Sequence, residues 1–159
     1  MDDVVICEID RDTRGLAGAP DIGDSIYEKI DSADIFIADV TIINHDYEGR
    51  KTLNPHVLIE LGYAVKVLGW DRIVLLYNKD LGEIEELPYD INHRKITLFS
   101  LNGDEDKEKA RDYVSSCITE TIRILEQRHR LYGGSAETVK AQAELRNLIQ
   151  TGSVLKIYV

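Results

Sequence analysis

The chain has 159 residues, enough for one domain with a sizeable core and too few for two full ones. Apolar residues make up 43% and charged residues 30%, an ordinary soluble globular mix, and a net charge of -10 argues against a broad nucleic-acid-binding face. Two cysteines, Cys7 and Cys117, are too few and too far apart for a disulfide framework or a zinc site; with no signal peptide and no membrane-length apolar run, they read as reduced thiols of a cytoplasmic protein.

Val4 to Ile9 is a short apolar run with β-branched residues, which predicts a strand. Residues 10–21 hold glycines, a proline and alternating charges, the composition of a loop. Ile22, Ile26, Tyr27 and Ile30 then form a helical face. Ile35 to Val40 predicts a second strand, and residues 44–53 are polar and poorly patterned. Asn54-Pro55 reads as an N-cap followed by proline at the first helical position, opening a helix that ends near Gly69. Arg72 to Tyr77 is a third strand, followed by a loop through Pro88. Lys95 to Leu101 is a fourth. A long helix starts near Asp104, with Tyr113, Cys117, Ile118, Thr121, Ile122 and Leu125 on one side, and Gly133-Gly134 stops it. Ser135 caps a last helix with Val139, Leu145, Leu148 and Ile149, and residues 154–159 suit a terminal strand.

Strands alternating with helices predict an α/β fold, an open parallel sheet with helices on both faces, flavodoxin-like in outline. Near-continuous apolar strands agree. Residues 1–103 would form the core, and the helices of 104–159 would pack on it or mediate assembly.

In such sheets the ligand crevice opens beyond the carboxyl ends of the strands. Asp10 and Thr13 follow the first strand, Asp39 and Thr41 the second, and Asn78 the third, so one edge gathers them as candidate site residues. Arg11 and Arg14 flank a glycine-containing turn and are candidates to neutralise a phosphate; the turn matches neither a P-loop nor a dinucleotide fingerprint. The same residue types also serve as plain turn and capping residues. Glu60 is the sharpest candidate, a carboxylate on the second turn of a helix whose neighbours Leu58, Ile59 and Leu61 suggest burial nearly all round. Such a carboxylate is either desolvated or held by hydrogen bonds, and Arg94 or Lys66 are its ordinary structural partners. Asn54 stands at the amino end of this helix, where ligand hydroxyls and phosphates bind well. The four histidines show no metal-ligand spacing, and no metal is implied.

Taken together, Ile9 to Gly15, Gly18 to Ile22, Ile30 to Thr41, Asn54 to Ala64, Leu87 to Asp90 and Arg94 resemble a bacterial TIR-like nucleotide-binding domain, a group related in fold to the nucleoside 2-deoxyribosyltransferases. The resemblance runs from about Glu8 to Leu101. It implies a small-molecule nucleotide, NAD or a relative, as substrate or ligand, no further cofactor, and an N-glycosidase reaction of a kind used in antiviral defence. It places Glu60, within Glu-Leu-Gly-Tyr-Ala, beside a bound ribose, and Asp39 at a strand end near ribose or base. A non-catalytic, oligomerising nucleotide-binding module and a deoxyribosyltransferase are the alternatives. Relatives carry a strand and a helix before the counterpart of Val4, so the nucleotide pocket is expected to lack that unit. The terminal strand, another chain or a longer gene would supply it. His56 stands where relatives often have asparagine.

Overall fold

A computed structural model describes residues 7–10, 22–131 and 155–158 of the chain. Five strands form one parallel sheet: β1 (Cys7–Asp10), β2 (Ile35–Asp39), β3 (Ile73–Asn78), β4 (Ile96–Phe99) and β5 (Leu155–Tyr158), in the spatial order β1-β5-β2-β3-β4. Among the described residues the helices are α1 (Ile22–Asp31), α2 (Pro55–Leu68), the single turn α3 (Tyr89–Asn92) and α4 (Asp104–Leu131). The expected last helix at 135–149 lies outside the described residues, as do Val4, the segment 11–21 and the Gly133-Gly134 stop.

The apolar strands divide by alternation between two cores. Phe36, Ala38, Leu75 and Tyr77 point to one face, where Ile30 of α1 and Leu61 and Ala64 of α2 cover them. Ile35, Ile37 and Val74 point to the other, against Ile118, Ile122 and Leu125 of α4. Helices therefore lie on both faces, which is why β2 is apolar at every position but its last. Counted from β5 as the first strand, the order becomes the 2-1-3-4-5 of doubly wound flavodoxin-like sheets. The chain's last strand thus fills the place between β1 and β2. It pairs with β1 over four residues and with β2 through Ile35–Ile157 and Phe36–Tyr158.

Strand ends differ from expectation by a residue or two. Asp10 and Asn78 are the last residues of β1 and β3 rather than the first beyond them, and Arg72 closes a short 3-10 turn, Trp70–Arg72, that leads into β3. The Arg72 guanidinium donates to the carbonyls of Asp34 and Ala33, both at 2.6 Å, and so fixes the start of β2 against the start of β3. The stretch up to Pro88 is not plain loop, because two further 3-10 turns, Lys79–Leu81 and Ile84–Glu86, lie within it.

The helix α2 is capped as its sequence predicts: Asn54 Oδ1 accepts from the His56 amide at 2.9 Å, and Gly69 ends it at φ 76°, a conformation glycine adopts without a Cβ penalty. Its expected all-round burial is wrong. Val57, Leu61, Ala64 and Leu68 pack on the sheet, whereas Leu58, Ile59 and Val67 are exposed. An outer-layer helix buries one stripe, and apolar residues on its far side remain in solvent.

The polar segment between β2 and α2 has a clamped base. Ile42 and Leu53 form an antiparallel bridge and are each only 1% exposed, and the Ile43 amide donates to the Thr52 carbonyl at 3.0 Å. Asn44 donates to the Arg50 carbonyl and accepts from the Thr52 amide, while Lys51 Nζ donates to the carbonyls of His45 and Tyr47. The bridge returns the chain to the end of β2, so Asn54, the N-cap of α2, follows directly on Leu53.

Candidate functional site at the carboxyl edge

Because the strands are parallel, Asp10, Asp39, Asn78, Phe99 and Tyr158 all stand at one edge of the sheet. The structure joins three of the candidate residues there directly. Asp39 Oδ1 accepts the Thr41 amide at 3.0 Å and the Thr41 hydroxyl at 2.5 Å. Thr41 Oγ1 in turn accepts the Asn78 amide at 2.8 Å, tying the end of β2 to the end of β3. Asn78, nearly buried, accepts the Asp80 amide on its side-chain oxygen at 3.0 Å. Asp80 then receives the Ser100 hydroxyl at 2.8 Å and the Leu101 amide at 2.7 Å, past the end of β4.

A polar chain thus runs Asp39, Thr41, Asn78, Asp80, Ser100 across three strand ends. Asp80 and Ser100 were not among the candidates read from sequence. An Asx turn two residues after Asn78 is the local signal for Asp80, and nothing local reports that Ser100 meets it.

At the outer end of this chain Asp39 is exposed, and a carboxylate with one oxygen engaged still has room for a ligand hydroxyl. Asn54 reaches the same region through the Ile42–Leu53 bridge, which sets the α2 cap beside the residue following Thr41. The Asn54 side chain is used as the cap, and Glu60, on the second turn, is partly buried. The Arg94 guanidinium lies 4.1 Å from the ring centroid of Trp70. Arg11, Thr13 and Arg14 lie outside the described residues, as does the side chain of Asp10.

Among the described residues, two cavities lie between α4 and the sheet. One, of about 310 Å³, opens near the starts of β3 and β4, and one of about 170 Å³ lies near the end of β4; Glu60 and Asp39 line neither. Among the described residues no group of three or more His, Cys, Asp or Glu is placed to hold a metal, and no helix is long and apolar enough to cross a membrane.

Compared with protein-family models and with curated proteins, the sequence finds no match. The class that fold and edge define is an α/β protein with an open parallel sheet, helices on both faces, and a hydrogen-bonded polar row along the carboxyl ends of its strands.

Proposed function

We propose that the chain is a TIR-like N-glycosidase that cleaves the nicotinamide–ribose bond of NAD or a related nucleotide. The observation that supports this best is the Asp39–Thr41–Asn78 row, an acid presented at a strand end with the amino end of the Glu60 helix clamped beside it. In open parallel sheets that edge is where ligands bind.

In this reading Asp39 accepts a ribose hydroxyl or orients the base, and the α2 amino end faces the phosphates, with Arg11 and Arg14 as further phosphate contacts. Glu60 lies against the ribose. The C1′–N bond breaks with its electron pair passing to nicotinamide, leaving an oxocarbenium-like centre that the Glu60 carboxylate stabilises. Water adds to C1′ and releases a proton, giving nicotinamide and the ribosyl product. A defence effector would act by draining the nucleotide pool.

One observation favours a second reading, a non-catalytic nucleotide-binding module. Asp39, Thr41, Asn54 and Asn78 each serve a local cap or strand tie, the work such residues do in any α/β edge. Titration of ADP-ribose followed by calorimetry tests what the two readings share. Asp39→Asn is expected to weaken binding at least tenfold, with Cys117→Ser, on α4, unchanged. Equal binding by all three proteins would contradict both readings.

A further inference from the structure

The larger cavity has a construction unrelated to the carboxyl edge. The 28-residue α4 is about 42 Å long at roughly 1.5 Å per residue, far longer than the strands it covers. It starts past the carboxyl end of β4, and its second half meets the Trp70–Arg72 turn at the opposite, amino edge of the sheet. There the facing residues are small: Cys117 and Thr121, one helical turn apart on α4, look towards Thr97 of β4. Short side chains on both sides leave the gap of about 310 Å³, with Val74, Ile124 and Leu125 as aliphatic walls.

The rim is of opposite character. Arg94 and Lys95, both exposed, precede β4, and Arg128 comes from α4. Asp71, the one carboxylate among the described residues that line the cavity, is engaged by Arg128 at 2.7 Å. Glu120 lies near Lys95 but is held by Arg123 through two bonds of 2.9 and 2.6 Å. Among the described residues the mouth therefore carries an excess of positive charge, on a chain whose net charge is -10. The Arg94 guanidinium sits over the Trp70 ring at 4.1 Å from its centroid, a contact that helps to position the cation at the mouth.

The geometry points to a second binding site here, for a small organic anion with an aliphatic body: the chain enters between α4 and the sheet, and the acid group meets Arg94, Lys95 and Arg128. The volume stands at the lower end of small-molecule pockets, which run from about 300 Å³ upward, and suits a medium-chain carboxylate rather than a dinucleotide.

Trp70 is the only tryptophan of the chain and lines the cavity, so its fluorescence reports occupancy. The full chain is titrated with octanoate, 1-octanol and octylamine, with calorimetry as a second readout. Octanoate is expected to give a saturable response, at least tenfold tighter than octanol, with octylamine silent. Arg94→Gln combined with Lys95→Gln should weaken octanoate at least tenfold and leave octanol unchanged; Thr121→Phe, which fills the gap, should remove both responses. Arg128→Gln, a surface change, should weaken octanoate alone. Absence of a saturable signal would overturn the proposal, as would equal affinity for octanoate and octanol or indifference to the charge variants. None of these outcomes bears on the carboxyl edge, because Glu60 and Asp39 lie outside this cavity.

Discussion

Thr41 both donates and accepts at the carboxyl edge: its hydroxyl gives a hydrogen bond to Asp39 and receives the Asn78 amide. Thr41→Val removes both, leaving the Asn78 amide without its acceptor at a nearly buried position, and should cost about 1–3 kcal/mol in urea unfolding, with Thr41→Ser restoring most of it. At the opposite edge, Arg72→Met strips two carbonyls of a charged donor and is expected to cost about 1.5–3 kcal/mol. Tyr77 gives a pH signature. Burial raises the pKa of its phenol, and the nearby carboxylates of Glu86, Glu83 and Glu85 raise it further. The unfolded tyrosine ionises near pH 10, so the stabilisation is complete below about that pH and is lost as pH rises through the higher folded value. Unfolding followed between pH 8 and 12 should show wild-type stability falling more steeply above about pH 10 than that of Tyr77→Phe; parallel curves would contradict this. Asp39, Thr41 and Asn78 were legible in the sequence as strand-end residues. That one hydroxyl links them was not, because the contact joins positions 37 residues apart.

The helix α2 and the loop before it show what pattern reading reaches. Asn54-Pro55 and Gly69 mark the helix ends because capping is local chemistry, written in adjacent residues. Which side of the helix is buried was not legible: Leu58, Ile59 and Val67 give its outer face the same apolar character as its inner one, and only packing decides. The clamp beneath the loop was missed for a similar reason, since Ile42 and Leu53 are single apolar residues flanking a polar run. Leu53→Ala should cost about 2–5 kcal/mol, as for a fully buried leucine, and should loosen the α2 amino end with it. Ile59→Gln on the exposed face should stay within about 0.5 kcal/mol of wild type. Thermal unfolding of the two variants side by side checks both. Gly82 adds a close approach: at φ 143° it packs where a Cβ would stand 3.1 Å from the Tyr77 hydroxyl, so Gly82→Ala should disturb that corner.

Across the whole molecule, the strand order carries the least local information. Residues 154–159 read as a strand from composition, yet nothing in them names β1 and β2 as neighbours, and parallel pairing over such a separation is settled only by the assembled sheet. Among the described strands β1 pairs with β5 alone. Deleting 155–159 should therefore abolish amide-exchange protection in Cys7–Asp10 while Ile73–Asn78, flanked by β2 and β4, keeps its own. The same topology lines up the polar row at one edge and gives the proposed chemistry its place. The most direct test is nicotinamide release from NAD, read by chromatography at high protein concentration, for the wild type and for Glu60→Gln. Release by the wild type and none by a Glu60→Gln protein that still folds and binds ADP-ribose is the predicted result. Equal release by both would remove Glu60 from the mechanism, and no release by a wild type that binds the nucleotide would leave a binding module in place of an enzyme.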